Sequence, residues 1–168
     1  MNCELVPDLI YLSDYNGNYQ NYETAIYQTY LDTFDAGSFS WNGKRIVHKK
    51  HPETRGMSAT FWHITSSGSE EANRTPDLRR YETIAWPAFI LDYCLYGCQE
   101  LLVWKNKRKG KTRVLLWCQD IDYVVVLDER KDFCVFWTAY PVTHRHTREK
   151  FLKEYEQYQK TMVSELTQ

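Results

Sequence analysis

The sequence predicts an α+β domain: a curled antiparallel β-meander of about four strands packed with N-terminal, central and C-terminal helices. Two observations carry this. Between residues 101 and 137 four short β-type runs follow one another across connections of only a few residues. Connections that short join antiparallel neighbours. Around them lie segments whose apolar residues recur at three- and four-residue steps, the period of a helix packed by one face. A hydrophobic fraction of 43% with 15% aromatic residues in 168 residues supplies the core of one compact domain and argues against disorder.

The elements follow in order. Residues 1–18 mix turn formers (Pro7-Asp8, Asn16-Gly17-Asn18) with short apolar pieces and read as a loosely packed lead-in. Tyr19, Tyr22, Ile26, Tyr30 and Phe34 lie on one helix face, and Asp35-Ala36-Gly37 supplies the stop. Residues 1–43 thus form a helical lead-in to a main unit spanning 44–168. Phe39 and Trp41 flank Ser40, and Asn42-Gly43 precedes Lys44-Arg45-Ile46-Val47, which is a hairpin signal. The β-branched and aromatic content of 59–65 predicts a strand, and the Ser, Gly and Glu of 66–73 a surface loop.

Thr75 and Pro76 are placed as N-cap and first residue of a helix running to Trp86, where Pro87 forces a new start. An apolar helix then continues over 88–96, closed by Gly97. The four β-type runs occupy 101–104, 114–117, 123–127 and 133–137. A sheet hides one face and exposes the other, so one face of this one is expected to stay open. Phe151, Leu152, Tyr155 and Tyr158 predict a closing helix beginning at Thr147.

A formal net charge of -1 argues against a protein that coats nucleic acid without specificity. The charge is unevenly placed, however. Lys44-Arg45, Lys49-Lys50 and the stretch from Lys105 through Lys107, Arg108, Lys109 and Lys111 to Arg113 are basic, and a locally basic cleft suits a phosphate-bearing substrate. Five cysteines are an odd number, Met1-Asn2-Cys3-Glu4 has no leader character, and no apolar run approaches the ~18 residues of a membrane span. These features predict a cytoplasmic chain with reduced thiols and no membrane partner. Cys94 and Cys98 lie four apart without a second pair at metal spacing, so no metal is expected, and no organic cofactor is implied.

The polar residues that remain have a chemical pattern. Cleaving a phosphodiester without metal takes one group to accept the proton of the attacking hydroxyl, another to protonate the leaving oxygen, and fixed cations for the non-bridging oxygens. Imidazoles transfer protons near neutral pH, and arginine meets phosphate with a bidentate fork. The candidates are His63 and His51 for proton transfer, Arg80 and Arg113 for phosphate, and Thr138 and Tyr140, which share a face by period-two spacing. Arg79, Lys49, Lys50, Lys107 and Arg108 are candidates for binding substrate. His48, His144 and His146 are more simply solvated surface residues, and a hairpin tip such as 105–111 commonly serves solubility.

The segment Arg74-Thr75-Pro76-Asp77-Leu78-Arg79-Arg80-Tyr81-Glu82-Thr83-Ile84-Ala85-Trp86 resembles the helix of phage-borne ribonucleases of the barnase, EndoU, colicin and RelE group. The strands from Leu101 to Trp137, followed by Thr138-Ala139-Tyr140-Pro141-Val142 and a charged helix, resemble the sheet and tail of that group. The likeness spans roughly residues 44 to 158. It implies a metal-independent endoribonuclease of toxin type that leaves a 2′,3′-cyclic phosphate. In it His63 resembles the catalytic histidine, Arg80 and Arg113 the phosphate-binding arginines, and Thr138 and Tyr140 the closing hydroxyl pair. RNA and a neutralising antitoxin or immunity protein are the partners it implies. The rival expectations are a non-catalytic RNA- or protein-binding module and a degenerate nuclease fold serving as a phage-encoded inhibitor or regulator.

Overall fold

The structure, a computed structural model, describes residues 5–70, 73–94 and 100–167. The expected stop at Gly97 and the Cys98 member of the Cys94/Cys98 spacing fall outside them. Helix α1 (Tyr19–Tyr30) ends in a wide π-type turn, Leu31–Asp35. The hairpin of β1 (Ser40–Trp41) and β2 (Lys44–Val47) turns through Asn42 and Gly43, both at positive φ (49° and 75°). That is the pair of conformations an Asn-Gly turn is suited to.

Helix α2 (Ala59–Thr65) follows, then the short strands β3 (Ser66–Ser67) and β4 (Thr75–Pro76), which pair with each other. Helix α3 (Leu78–Glu82) and helix α4 (Trp86–Phe89) precede four long strands. These are β5 (Leu101–Arg108), β6 (Lys111–Cys118), β7 (Tyr123–Glu129) and β8 (Phe133–Pro141), and α5 (Arg145–Leu166) closes the chain.

The fold is α+β, as the sequence predicts, and the sheet is mostly antiparallel. It has six strands rather than four, in the order β1-β2-β8-β7-β6-β5. The meander β5 to β8 is the expected part. The addition is β2, which runs parallel to β8 with Arg45 opposite Phe133 and Val47 opposite Val135. A parallel neighbour so far away in sequence leaves no local signature, and β2 offers only Ile46 and Val47 as apolar residues.

Three local readings are corrected. Residues 59–65 are helix, not strand. Ser58 caps this helix by accepting from the Phe61 amide, and the buried residues Thr60, Phe61, Ile64 and Thr65 follow helical spacing. Seven residues rich in aromatic and β-branched types do not separate the two periods. Thr75 and Pro76 belong to β4, and Asp77 is the cap of α3, its side chain accepting from the Arg79 amide at 3.1 Å. The segment before α1 is also more firmly held than its composition implies. Trp86 Nε1 donates to the Pro7 carbonyl at 2.8 Å, the Tyr22 hydroxyl donates to Ile10 O at 2.8 Å, and Ile10 N donates to Glu82 O at 3.1 Å. Trp86 and Glu82 come from distant elements, invisible to a local reading.

The sheet is also covered on both faces, so β6 and β7 are almost wholly buried. On one face Val114, Leu116, Val125, Leu127 and Phe136 pack with Tyr22, Ile26 and Tyr30 of α1, Phe61 and Ile64 of α2, and Tyr81 of α3. Side chains of this size contribute roughly 1.5–3 kcal/mol each when fully buried. Glu23 is buried in the same core, accepting from the Tyr81 hydroxyl at 2.9 Å and the Tyr19 hydroxyl at 3.2 Å and pairing with Arg55 at 3.2 Å. On the other face Trp104, Leu115, Trp117, Val124 and Val126 lie under Phe151, with Tyr155 of α5 packed against them. Helix α5 covers only part of that face, and the rest, toward the β5–β6 hairpin tip, forms a cleft.

A half-buried imidazole links α1 to β2. His48 Nε2 lies 2.7 Å from Asp35 Oδ1, and its Nδ1 meets the Tyr30 hydroxyl. Burial lowers its pKa from the ordinary value of about 6.5, with Asp35 pulling in the opposite direction. The unfolded chain therefore takes up this proton more readily than the folded one. The contribution of His48 to stability is fully present above about pH 6.5 and is lost as pH falls from there toward the folded-state value. Urea midpoints measured from pH 7.5 to 5 are expected to drop across that window, with a shallower drop in His48→Gln.

Candidate functional site

The cleft is shaped by an irregularity in β8. Val126 of β7 pairs with Thr138, while Leu127 pairs with Phe136, leaving Trp137 as an extra residue. A bulge of this kind breaks the alternation of side chains. As a result Trp137 and Thr138 both point to the α5 side of the sheet together with Tyr140, and Phe136 and Ala139 point to the opposite core. Beyond Val135, where β2 stops pairing, α2 and α3 pack beside β8 and take the place of a further strand. That placement carries His63 of α2 to 5.0 Å from the Trp137 ring and Arg80 of α3 to 5.0 Å from the Tyr140 ring.

The resulting cleft has a volume of about 830 Å³. Its floor is Leu115, Val126, Thr138 and the Phe151 edge of the apolar cluster, and its mouth is bounded by exposed Arg108, Lys109 and Lys111 from the hairpin tip. Among the described residues, Arg74, Arg80 and Arg113 complete a set of six cations in the lining, beside one imidazole, His63, and no carboxylate. A concave wall of one charge sign focuses its field on the cleft. An otherwise neutral chain thereby gains a strongly anion-seeking pocket.

The three arginines are held differently. Arg113 is buried, its side chain 10% exposed, with Nη1 3.2 Å from Asp128 Oδ2 and its guanidinium stacked 4.0 Å from the Trp137 centroid. Nη1 is close enough to pair with Asp128 but is not aligned for a hydrogen bond. Burial lowers the Arg113 pKa, opposed chiefly by Asp128, and an arginine remains charged at neutral pH. Arg80 is likewise lowered by burial and raised by Asp77, whose Oδ2 lies 3.6 Å from Nε. Its Nη1 is buried with no hydrogen-bond partner among the described residues. Arg74 spends its donors on the protein: Nε on Ser66 Oγ at 3.0 Å, Nη1 on Gly68 O at 3.0 Å and Nη2 on His63 O at 2.8 Å. Arg74 therefore fixes the end of α2 that carries His63, while Arg80 and Arg113 retain capacity for a ligand. The Tyr140 hydroxyl, raised above the ordinary value by burial, stays protonated and able to donate.

Of the residues singled out from sequence, His63, Arg80, Arg113, Thr138, Tyr140 and Arg108 line this cleft. Lys49 stands at its rim, Nζ 5.9 Å from the Trp137 centroid. His51 and Lys107 are exposed and outside the lining, and Lys50 is drawn to Asp35 at 3.5 Å. Arg79 faces two neighbouring cavities instead, since adjacent helix positions diverge by about 100°. Sequence reasoning missed Trp137, Asn106 and Arg74 as cleft residues, and it had Lys111 only as part of the basic stretch. Period-two counting from Tyr140 puts Trp137 on the wrong face, and only the bulge restores it. Asn106 is legible in retrospect as the polar residue opposite Arg113 in the β5–β6 register.

Among the described residues no cluster of three or more His, Cys, Asp or Glu is placed to hold a metal ion, and no helix is long and apolar enough to cross a membrane. Set against known proteins, the chain matches no family model, and neither a curated protein nor a solved structure is significantly similar to it.

Proposed function

We propose that this chain is a metal-independent RNA endonuclease of toxin type, acting in the cytoplasm and cleaving by attack of the 2′-hydroxyl on its own phosphodiester. The observation that supports the reading is the cleft itself: among the described residues, six cations, one imidazole, a stacked tryptophan and no carboxylate around about 830 Å³. A phosphodiester, an anion whose charge shifts onto its non-bridging oxygens as it reacts, is complementary to that charge set. Its size falls within the roughly 300–1,000 Å³ of ligand-sized pockets.

In the reaction, Arg113 and Arg80 grip the non-bridging oxygens of the scissile phosphate, and the Thr138 and Tyr140 hydroxyls orient it. His63 accepts the proton of the 2′-hydroxyl as O2′ bonds to phosphorus. The P–O5′ bond breaks, O5′ takes a proton from solvent at the open mouth, and the products are a 2′,3′-cyclic phosphate and a 5′-hydroxyl. Fixed guanidinium charges stabilise the developing negative charge without reorganising. A cell carrying such an enzyme requires an antitoxin or immunity protein, whose acidic residues would fill the same cleft.

One observation favours a non-catalytic RNA-binding module instead: His63 is the sole imidazole in the lining among the described residues. Incubating the purified chain with RNA in EDTA separates the two, because the binding module leaves the RNA intact. For either reading, affinity for 2′-O-methyl RNA is expected to fall steeply with salt. In Lys111→Ala the slope of log K against log salt is expected to shrink by about 0.7, one phosphate contact on a single strand. An unchanged slope would take Lys111 out of the interface.

A further inference from the structure

The cleft does not end at Arg80 and Tyr140. Both residues also line a notch of about 260 Å³ on their far side, walled by Asp77, Arg79, Thr143 and His144. The notch in turn shares Arg79, Pro141, Val142 and Thr143 with a chamber of about 690 Å³ that presents Leu9, Leu78, Trp86 and Ile121. These three spaces form one series along the C-terminal end of β8.

Their chemistry changes in order. Among the described residues, the cleft holds six cations against no carboxylate. The notch sets Arg79 and Arg80 against Asp77. The chamber balances Arg79 and Arg148 with Glu82 and Asp122 and adds an apolar wall. A sugar-phosphate chain with bases attached has the matching demands: most cation where the reacting phosphate sits, one surplus cation for the next phosphate, and an apolar surface for a base. Arg80 stands on the partition, its Nη1 buried and unpartnered among the described residues.

We propose that the notch is a second phosphate subsite and the chamber beyond it a base subsite, so that the substrate is a single-stranded RNA segment gripped across at least two consecutive phosphates. This rests on the nuclease reading above. Arg80 reaches both phosphates, and Arg79 and His144 complete the second. Arg79, half of the adjacent arginine pair, thereby acquires a use although it stands outside the cleft. A single strand with its bases splayed suits a cleft and notch of about 830 and 260 Å³. Single-strand sites of this sort combine a cationic track with an aromatic or apolar stacking surface.

The test uses the full chain and 2′-O-methyl oligoribonucleotides of two, three, four and six nucleotides, which bind but lack the attacking hydroxyl. Affinity is read by fluorescence anisotropy at fixed salt. The expected result is one step of about tenfold when the phosphate that reaches the notch is added, about 1.4 kcal/mol, with little gain from later ones. In Arg79→Ala, an exposed position that folding does not need, the ratio of affinities across that step should fall to within about twofold of one. An even gain with every added phosphate, or a loss in Arg79→Ala that is equal at every length, overturns the subsite. Tight binding to duplex RNA of the same length overturns it too. The two readings fail separately. RNA left uncut with the length step intact sinks the reaction and keeps the subsite, and cleavage without a step does the reverse.

Discussion

His63→Ala is expected to slow RNA cleavage by about 10²–10⁴-fold, the range that a positioned general base contributes, while leaving RNA affinity within a few fold. His63 is a half-buried helix residue whose ring lies against Trp137 at 5.0 Å, so removing the imidazole takes away a proton acceptor and leaves the arginines and lysines of the lining in place. Arg113→Ala is expected to lose about 10²–10³-fold in rate, as removal of one preorganised donor does elsewhere, and to weaken binding as well. The contrast between the two is the informative part. A purely structural histidine would lower the melting temperature and affinity together with the rate. Single-turnover cleavage measured beside anisotropy and thermal unfolding separates these outcomes, and equal losses in rate and affinity for His63→Ala would remove it from the proton-transfer role.

Asp128→Ala is expected to destabilise the fold by about 3–5 kcal/mol, because it strands the buried Arg113 charge. Asp128 is 1% exposed and its Oδ2 serves both Arg113, at 3.2 Å, and Arg130, at 2.5 Å. The Arg130 side chain is 40% exposed, so solvent screens most of its share. The double replacement Arg113→Met with Asp128→Leu removes both charges, and the stability lost by the single variant should largely return. Activity should not return, since the phosphate grip is gone. Urea unfolding of the single and double variants checks this, and a single-variant loss below about 1 kcal/mol would show that the pair carries little of the packing at this end of the sheet.

The parts of the fold that the sequence makes legible are those that depend on near neighbours. The four long strands have apolar runs broken by short polar connections, and the Asn42-Gly43 turn has a single favourable reading. What escaped depends on distant partners. Strand β2 becomes a sheet member only because β8 is there to pair with it. Residues 59–65 become helix because Ser58 caps them and because Phe61 and Ile64 find the core under α1.

The site shows the same division. Arg113 is recognisable at the start of a strand, and Thr138 and Tyr140 are recognisable by spacing. Trp137 is not, since one inserted residue reverses the face it occupies. His51 and Lys50 looked equivalent to His63 and Arg108 in type, yet the loop holding them lies outside the cleft. Residue type proposes chemistry, and only the packing of α2 and α3 against the free edge of β8 decides which groups meet.

The most direct test of the whole account is end-group analysis of RNA incubated with the purified chain in EDTA. The account predicts fragments ending in 2′,3′-cyclic phosphate and beginning with 5′-hydroxyl, formed by the wild type and absent with His63→Ala. RNA recovered intact after prolonged incubation, or fragments bearing 5′-phosphate, would contradict it.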